Sequence, residues 1–336
     1  MTGTVSNGIR ELVKRFVEHS VTRSGLDRLS RAMRTARGAV LAYHNVVPTG
    51  QEIRGESALH IPRRRFEEHL DAIERSHDVV SLERLLSGEG TTERPRLAIT
   101  FDDAYRGALT IGLRETARRG FPATVFVSPG LLGREVLWWD RLADGPGRID
   151  PEIRETALTA HGGDQEAVLE WWAGKGPSES AGGAPFPEAY HLCAPAELQR
   201  AADEHPELSV GSHGWSHLCL SSCDDSTIQS ELERSARWLR PRFGSSYVRC
   251  VSYPYGRYSS AATACAREWY RWGLRIDGGL VPESGGGEAD YLVPRINVPK
   301  SLRTRSGLSF RPLSCVRPFK TKAGRLPAGK IRATSR

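Results

Sequence analysis

Thr100-Phe101-Asp102-Asp103 closes an apolar run, Leu97-Ala98-Ile99, and sets two carboxylates side by side at the mouth of a buried strand. Like charges that close repel, and one is driven toward its protonated form unless a cation intervenes. A metal ion held by one carboxylate removes the conflict and leaves the other free to act as a base. Further ligands stand in Ser212-His213-Gly214-Trp215-Ser216-His217, where two imidazoles are four positions apart. On one turn of helix, positions i and i+4 share a face, so both rings can reach one ion. Two His and one Asp form the open three-ligand site of hydrolytic zinc enzymes, with room for a water. The same set describes the facial triad of non-heme iron. Two histidines at this spacing also occur unrelated in loops, and it is the strand-end Asp pair that lifts the metal reading above that.

A third segment, Val251-Ser252-Tyr253-Pro254-Tyr255-Gly256, leaves the strand-like Tyr247-Val248-Arg249-Cys250. Pro and Gly bracket an aromatic there, a turn that offers backbone N–H groups and a ring to a pocket.

The elements that must carry these residues alternate. Strands are predicted over 39–43, 96–101, 123–127, 208–211, 248–253, 271–276 and 292–298, and helices over 63–76, 114–119, 197–204 and 226–239. In the first helix Phe66, Leu70 and Ile73 share a face; in the last, Ile228, Leu232 and Leu239 do. Strand then helix, repeated, argues for an α/β fold with a parallel sheet or barrel. The chemical motifs all follow strands, which is where a barrel carries its site. Residues 130–195 interrupt the pattern with Trp138-Trp139-Asp140-Arg141, Trp171-Trp172 and a run rich in Gly, Pro and Ser over 174–187. Most of these tryptophans are expected to pack on the barrel. The alternative is a lid that shapes substrate choice, since Trp faces stack on sugar rings.

Taken together, the segments resemble the polysaccharide deacetylase group (NodB-homology domain, carbohydrate esterase family 4). The resemblance rests on Thr100-Phe101-Asp102-Asp103, on His213-Gly214-Trp215-Ser216-His217, on Tyr253-Pro254-Tyr255-Gly256 as a variant third motif, and on Leu41-Ala42-Tyr43-His44 as an opening strand. It implies an incomplete (β/α)7 barrel of the NodB-homology type over 39–298 with an inserted helical and loop segment at about 130–195. It also implies a metal-dependent hydrolase that removes an N-acetyl or related N-acyl group from an amino-sugar-containing substrate. Asp102 would be the general base, and Asp103, His213 and His217 would hold a divalent ion, zinc first, with cobalt, manganese or nickel as alternatives. The backbone N–H of Tyr255 would help hold the oxyanion, and Trp215 and Tyr253 are candidates for touching substrate. Two departures stand out. Ser252 occupies the place where many members carry an Arg that orients the base. The stretch Leu292-Val293-Pro294-Arg295-Ile296-Asn297-Val298 lacks the His that commonly serves as general acid. His44, at the end of the opening strand, is the candidate for that role.

The formal net charge of +7 is unevenly spread. From Tyr291 onward there are twelve Lys or Arg and no acidic residue, so residues 1–290 carry a net −5. The segment 299–336 reads as a basic, partly disordered tail. Residues 1–38 read as an amphipathic helical arm, with Ile9, Leu12, Val13, Phe16 and Val17 on one face among Arg10, Lys14 and Arg15. Packing on a domain or partner is the expectation for that arm, with weak membrane-surface contact through the basic termini as its alternative. No 18-residue apolar stretch is present, no signal-peptide core opens the chain, and the six cysteines form no CxxC pair. These point to free thiols and a cytoplasmic protein, and so to an acylated amino sugar, a glycolipid or a sugar-containing intermediate as substrate. No nucleic-acid fold signature is found.

Competing readings are a non-catalytic carbohydrate-binding protein on the same barrel and an iron oxygenase. The first has no use for a base beside a metal ligand. His205-Pro206-Glu207 matches the HxE of zinc deaminases, but their PCxxC is absent. No GxSxG elbow, P-loop or GxGxxG fingerprint appears.

Overall fold

The computed structural model describes residues 36–90, 92–145, 147–175, 184–283 and 285–298. The basic tail lies outside the described residues, as does the amphipathic arm except for its last three positions. Those three belong to the first strand, β1 (Ala36–Tyr43).

Six strands run parallel as neighbours in chain order: β1, β2 (Arg96–Asp102), β3 (Ala123–Val127), β4 (Leu208–Ser212), β5 (Tyr247–Ser252) and β6 (Trp272–Arg275). A broken seventh stave brings the sheet nearly full circle. Its first half, β7 (Val293–Pro294), pairs with β6, and its second half, β8 (Ile296–Asn297), pairs with β1. Arg295 sits at the break. This is the expected incomplete (β/α)7 barrel. Every residue of β3 is buried, as are the last six of β2. That is why these strands read as apolar runs and not as alternating patterns: a parallel sheet is covered on both faces.

The outer layer follows the predicted periodicity. Helix α1 (Arg63–Ser76) buries Phe66, His69, Leu70 and Ile73, one stripe at helical spacing. The expected helix at 114–119 instead begins with a wide turn at Ala108–Gly112 and continues as Leu113–Ala117. A side chain at Gly112 would collide with the Phe101 ring, at 2.9 Å, so the helix lies close on β2 there. Helix α3 (Asp225–Phe243) is longer than predicted at both ends. Asp224 caps it by accepting from Thr227 N–H at 2.8 Å, and the helix runs past Pro241. In the insertion, α2 (Trp138–Ala143) packs in the main core. No described helix is long and apolar enough to cross a membrane. The five described cysteines are free.

Two buried histidines of the outer layer couple this packing to pH. Burial pushes the His69 and His77 imidazoles down to about 4. Both stay neutral in the fold while the unfolded chain takes up protons below about 6.5. Stability should therefore be full above pH 6.5 and fall, by roughly a few kcal/mol in all, as pH drops toward 4. Urea midpoints between pH 7 and 4 should fall less steeply for the His69→Gln/His77→Gln double variant than for the parent. Equal slopes would show that these two groups are not responsible.

Candidate functional site

The C-terminal ends of β1, β2, β4 and β5 converge on one buried cluster, and the closing stave contributes the residue that organises it. Arg295 is fully buried. It donates to Asp102 through both terminal nitrogens, each at 2.7 Å, to Ser252 Oγ at 2.6 Å and to Thr100 Oγ1 at 3.2 Å. Its guanidinium also lies 5.4 Å from the centre of the Phe126 ring. Burial by itself would raise the Asp102 carboxyl. The charge and hydrogen bonds of Arg295, with His213 and His44 nearby, overcome that and hold it well below the usual carboxylate range. An Arg absent at Ser252 is thus present on the closing stave, where its guanidinium meets both Asp102 and the small Ser252 side chain. Sequence reasoning had named Arg295 only as part of a strand lacking His. An Arg inside an otherwise apolar strand was the available signal, since a buried guanidinium demands a carboxylate.

Asp103, His213 and His217 are all buried, and a ligand atom of each lies within 4.8 Å of the others. His217 Nε2 is 3.3 Å and His213 Nε2 3.6 Å from Asp103 Oδ1. The His213 Nδ1–H donates to the carbonyl of Ser252 at 2.7 Å, and burial lowers this ring to about 4, so it is neutral. Its Nε2 lone pair then faces Asp103, and also Asp102 Oδ2 at 3.8 Å. A lone pair turned toward two carboxylates is repulsive unless a cation lies between, so the donor set fits a metal ion. The two histidines do not share a helical turn, contrary to the expectation from their spacing. The chain leaves β4 as a loop, turns at Gly214 with φ +77°, and places His217 with φ +60°.

His44 is brought to the cluster, its Nε2 3.9 Å from Asp102 Oδ2. Burial lowers its pKa, against the pull of the two carboxylates. The Tyr255 ring packs edge-on against His217, with centroids 4.5 Å apart. Asp103, Ala104, His217 and Tyr255 are the four described non-glycine residues with positive φ; Asp103, His217 and Tyr255 belong to this site, and Ala104 follows Asp103 into the core. Such conformations cost of order 1–3 kcal/mol each and persist only where the surroundings enforce them. The two substrate candidates are placed otherwise. Tyr253 is fully enclosed in a core cluster with Leu232, Ala262 and Tyr270, so no substrate reaches it. Trp215 lies against Gly130, where any side chain would meet its ring, and Arg234 stacks over it at 4.3 Å.

The insertion both packs and overhangs. Trp171 stacks on His161 at 4.9 Å, away from the cluster of ligands. Trp139, which the sequence did not single out from its neighbours, lies 4.8 Å from the His217 ring and donates to Tyr105 OH at 2.9 Å. Tyr105 in turn donates to Asp140 Oδ2 at 2.7 Å, and His60 Nε2 meets Asp140 Oδ1 at 2.7 Å. Trp138 Nε1 and the Tyr255 hydroxyl both donate to the carbonyl of Gly163. The insertion is therefore bolted to the loop that follows the Asp pair.

A sequence profile of the family described as polysaccharide deacetylase matches residues 89–270. Comparison with curated protein sequences finds no significant match. Among solved structures the fold is similar to the Streptococcus pyogenes deacetylase PplD in complex with acetate, at 15% identity over 79% of this chain and 93% of that one, with a TM-score of 0.53. It is similar to IcaB from Ammonifex degensii, at 17% identity over 77% and 91% of the two chains, with a TM-score of 0.53. It is also similar to a polysaccharide deacetylase from Bacillus cereus, at 15% identity over 78% of this chain and 65% of that one, with a TM-score of 0.54. At such identities the likeness is one of fold.

Removing Arg295 should leave Asp102 buried and unpaired. Arg295→Met is expected to lose about 3–5 kcal/mol of stability at pH 7, read from urea unfolding. Adding Ser252→Arg to that variant should recover part of the loss, since the vacated volume lies beside Ser252. An Arg295→Met protein as stable as the parent would refute the assignment.

Proposed function

This chain belongs to the polysaccharide deacetylase family and is a carbohydrate N-deacetylase hydrolase, and from that premise we propose that it uses a divalent metal to remove an N-acetyl or related N-acyl group from an amino-sugar-containing substrate. One observation carries the reading: an ionised carboxylate fixed by Arg295 stands beside three converging metal-ligand atoms. Asp103, His213 and His217 would hold the ion. When bound, it would polarise the acyl carbonyl and make a water more acidic.

The chain's own residues supply the rest. Asp102 takes a proton from the attacking water as the new O–C bond forms. Arg295 and Ser252 keep that carboxylate ionised and aimed. His44, beside Asp102, receives the proton that Asp102 has taken and passes it to the departing nitrogen as the C–N bond breaks, giving a free amine and a carboxylic acid that ionises in water. The N–H of Tyr255, on its left-handed backbone, is the candidate donor to the oxyanion. Trp139 and Tyr255 cover the His217 side and limit water there.

Zinc is the proposed ion, with cobalt, manganese and nickel as alternatives. Within the carbohydrate class, a glycolipid or other sugar-containing biosynthetic intermediate is proposed, in the cytoplasm, from the cysteine usage and the charge distribution. Weak membrane-surface contact through the basic termini rests on composition alone.

The purified protein should contain about one divalent ion per chain and release acetate from N-acetylated amino sugars, nucleotide sugars or glycolipids. Chelation should abolish turnover, and added metal should restore it. Asp102→Asn should lower kcat by roughly 10²–10⁴-fold. Turnover intact in His44→Gln but lost in His213→Ala would overturn the acid assignment. A metal-loaded protein that binds these compounds and hydrolyses none would favour a carbohydrate-binding function instead.

A further inference from the structure

The loop between the two histidine ligands has no regular structure of its own, yet it must hold both rings in register. Its restraint comes from α3. Glu231, 5% exposed, accepts through Oε2 from the backbone N–H of Trp215 at 3.0 Å and of Ser216 at 2.9 Å, and through Oε1 from the Ser216 hydroxyl at 2.6 Å. Successive N–H groups turned to one side form a nest for an anion, and here the anion is a side chain of the same chain. The approach is close enough that a Cβ at Gly214 would stand 3.1 Å from Glu231 Oε2, on a backbone already at φ +77°.

The helix that carries Glu231 is tied to the strand below it. Ser235, one turn further along α3, meets Ser212 Oγ at 2.8 Å at the very end of β4. Tyr270 donates at 2.8 Å to both Ser212 Oγ and the carbonyl of Leu232. Residues 231, 232 and 235 of one helical stretch therefore grip the chain from Ser212 to Ser216, and His213 and His217 bracket the gripped segment. The lower ligand, His213, has an orienting partner in the carbonyl of Ser252. The upper one, His217, has none within hydrogen-bonding reach: its Nδ1 is buried and unpartnered. With no hydrogen bond to hold the ring, the backbone of its loop sets where His217 sits, and the Tyr255 and Trp139 rings pack against it.

We propose that Glu231 is a positioning residue of the metal centre, which sets metal affinity by clamping the loop between the His213 and His217 ligands. The proposal rests on the metal reading above. Groups that orient ligands from outside the coordination sphere typically change metal affinity by 10–100-fold when removed.

The test is the dissociation constant for zinc, from competition with a chromophoric chelator on the full chain, with the visible spectrum of the cobalt-loaded protein as a report on ligand geometry. Thermal unfolding in excess chelator gives the stability of the metal-free fold. Glu231→Ala should weaken zinc by about 10–100-fold and alter the cobalt spectrum. Glu231→Gln, whose amide oxygen can still accept from the two N–H groups, should stay within a few-fold of the parent. If Glu231→Ala does not fold, Ser216→Ala removes one of the three contacts and leaves both N–H bonds; a several-fold loss of affinity is expected. Parental zinc affinity and an unchanged cobalt spectrum in the folded Glu231→Ala, or in Ser216→Ala where that variant alone folds, would overturn the proposal. A parent that binds no metal would instead defeat the metal reading on which it stands.

Discussion

The buried pair between Asp102 and Arg295 is the interaction around which the rest of the site is arranged. A carboxylate with almost no solvent access is held ionised by a guanidinium that is itself fully enclosed. Either group alone would carry a desolvation penalty of several kcal/mol. Together, with Ser252 and Thr100 taking further donors, they form a fixed dipole at the barrel mouth. The pair also joins the first staves to the last. Asp102 ends β2, Arg295 interrupts the stave that bridges β6 and β1, and the ion pair spans the seam where the sheet closes. Closure of the fold and the pairing of the Asp102 carboxylate are one event.

From that point the site builds outward with little freedom. Asp103 follows Asp102 directly and can leave the strand only by a left-handed turn, which carries its carboxylate toward His213 and His217. Strain is concentrated there: the four described non-glycine residues in the left-handed region are Asp103, Ala104, His217 and Tyr255. Such geometry is retained because barrel packing on one side and the insertion on the other both constrain it. On the insertion side, Asp140 gathers His60, Tyr105 and the Glu56 N–H, and Trp139 is thereby held over His217. An insertion joined this tightly to the loop of the Asp pair is part of the site's frame, with Trp138 and Trp139 packed in the core and Trp139 also against His217.

Much of this was legible in the chain. The staves at 96–102 and 123–127 announce themselves as apolar runs, α1 by its stripe of Phe66, Leu70 and Ile73, and the ligand set by residue types that have few other uses at strand ends. The errors have identifiable causes. The four-residue spacing of His213 and His217 suggested a helix because spacing says nothing about φ, and Gly214 and His217 both adopt positive values. Tyr253 looked like a pocket residue because it stands two positions from Tyr255, the spacing that puts two side chains on one face of a strand, but the chain has left the strand at Pro254 and Tyr255 takes a left-handed backbone with φ 58°. One ring entered the core and the other the site.

Which residue types could bind a metal or take a proton, and that they follow strands of an alternating α/β chain, can be read along the chain. Those facts depend on side-chain type and short-range periodicity, both local. How the Asp102 carboxylate is tuned emerges only on folding. Arg295 is 193 positions from Asp102, and Thr100 on the strand of Asp102 and Ser252 on a further strand complete its environment. Long-range pairing of this kind leaves no trace in spacing, because the distance between two residues in a closed barrel is set by the order of the staves and not by the length of chain between them.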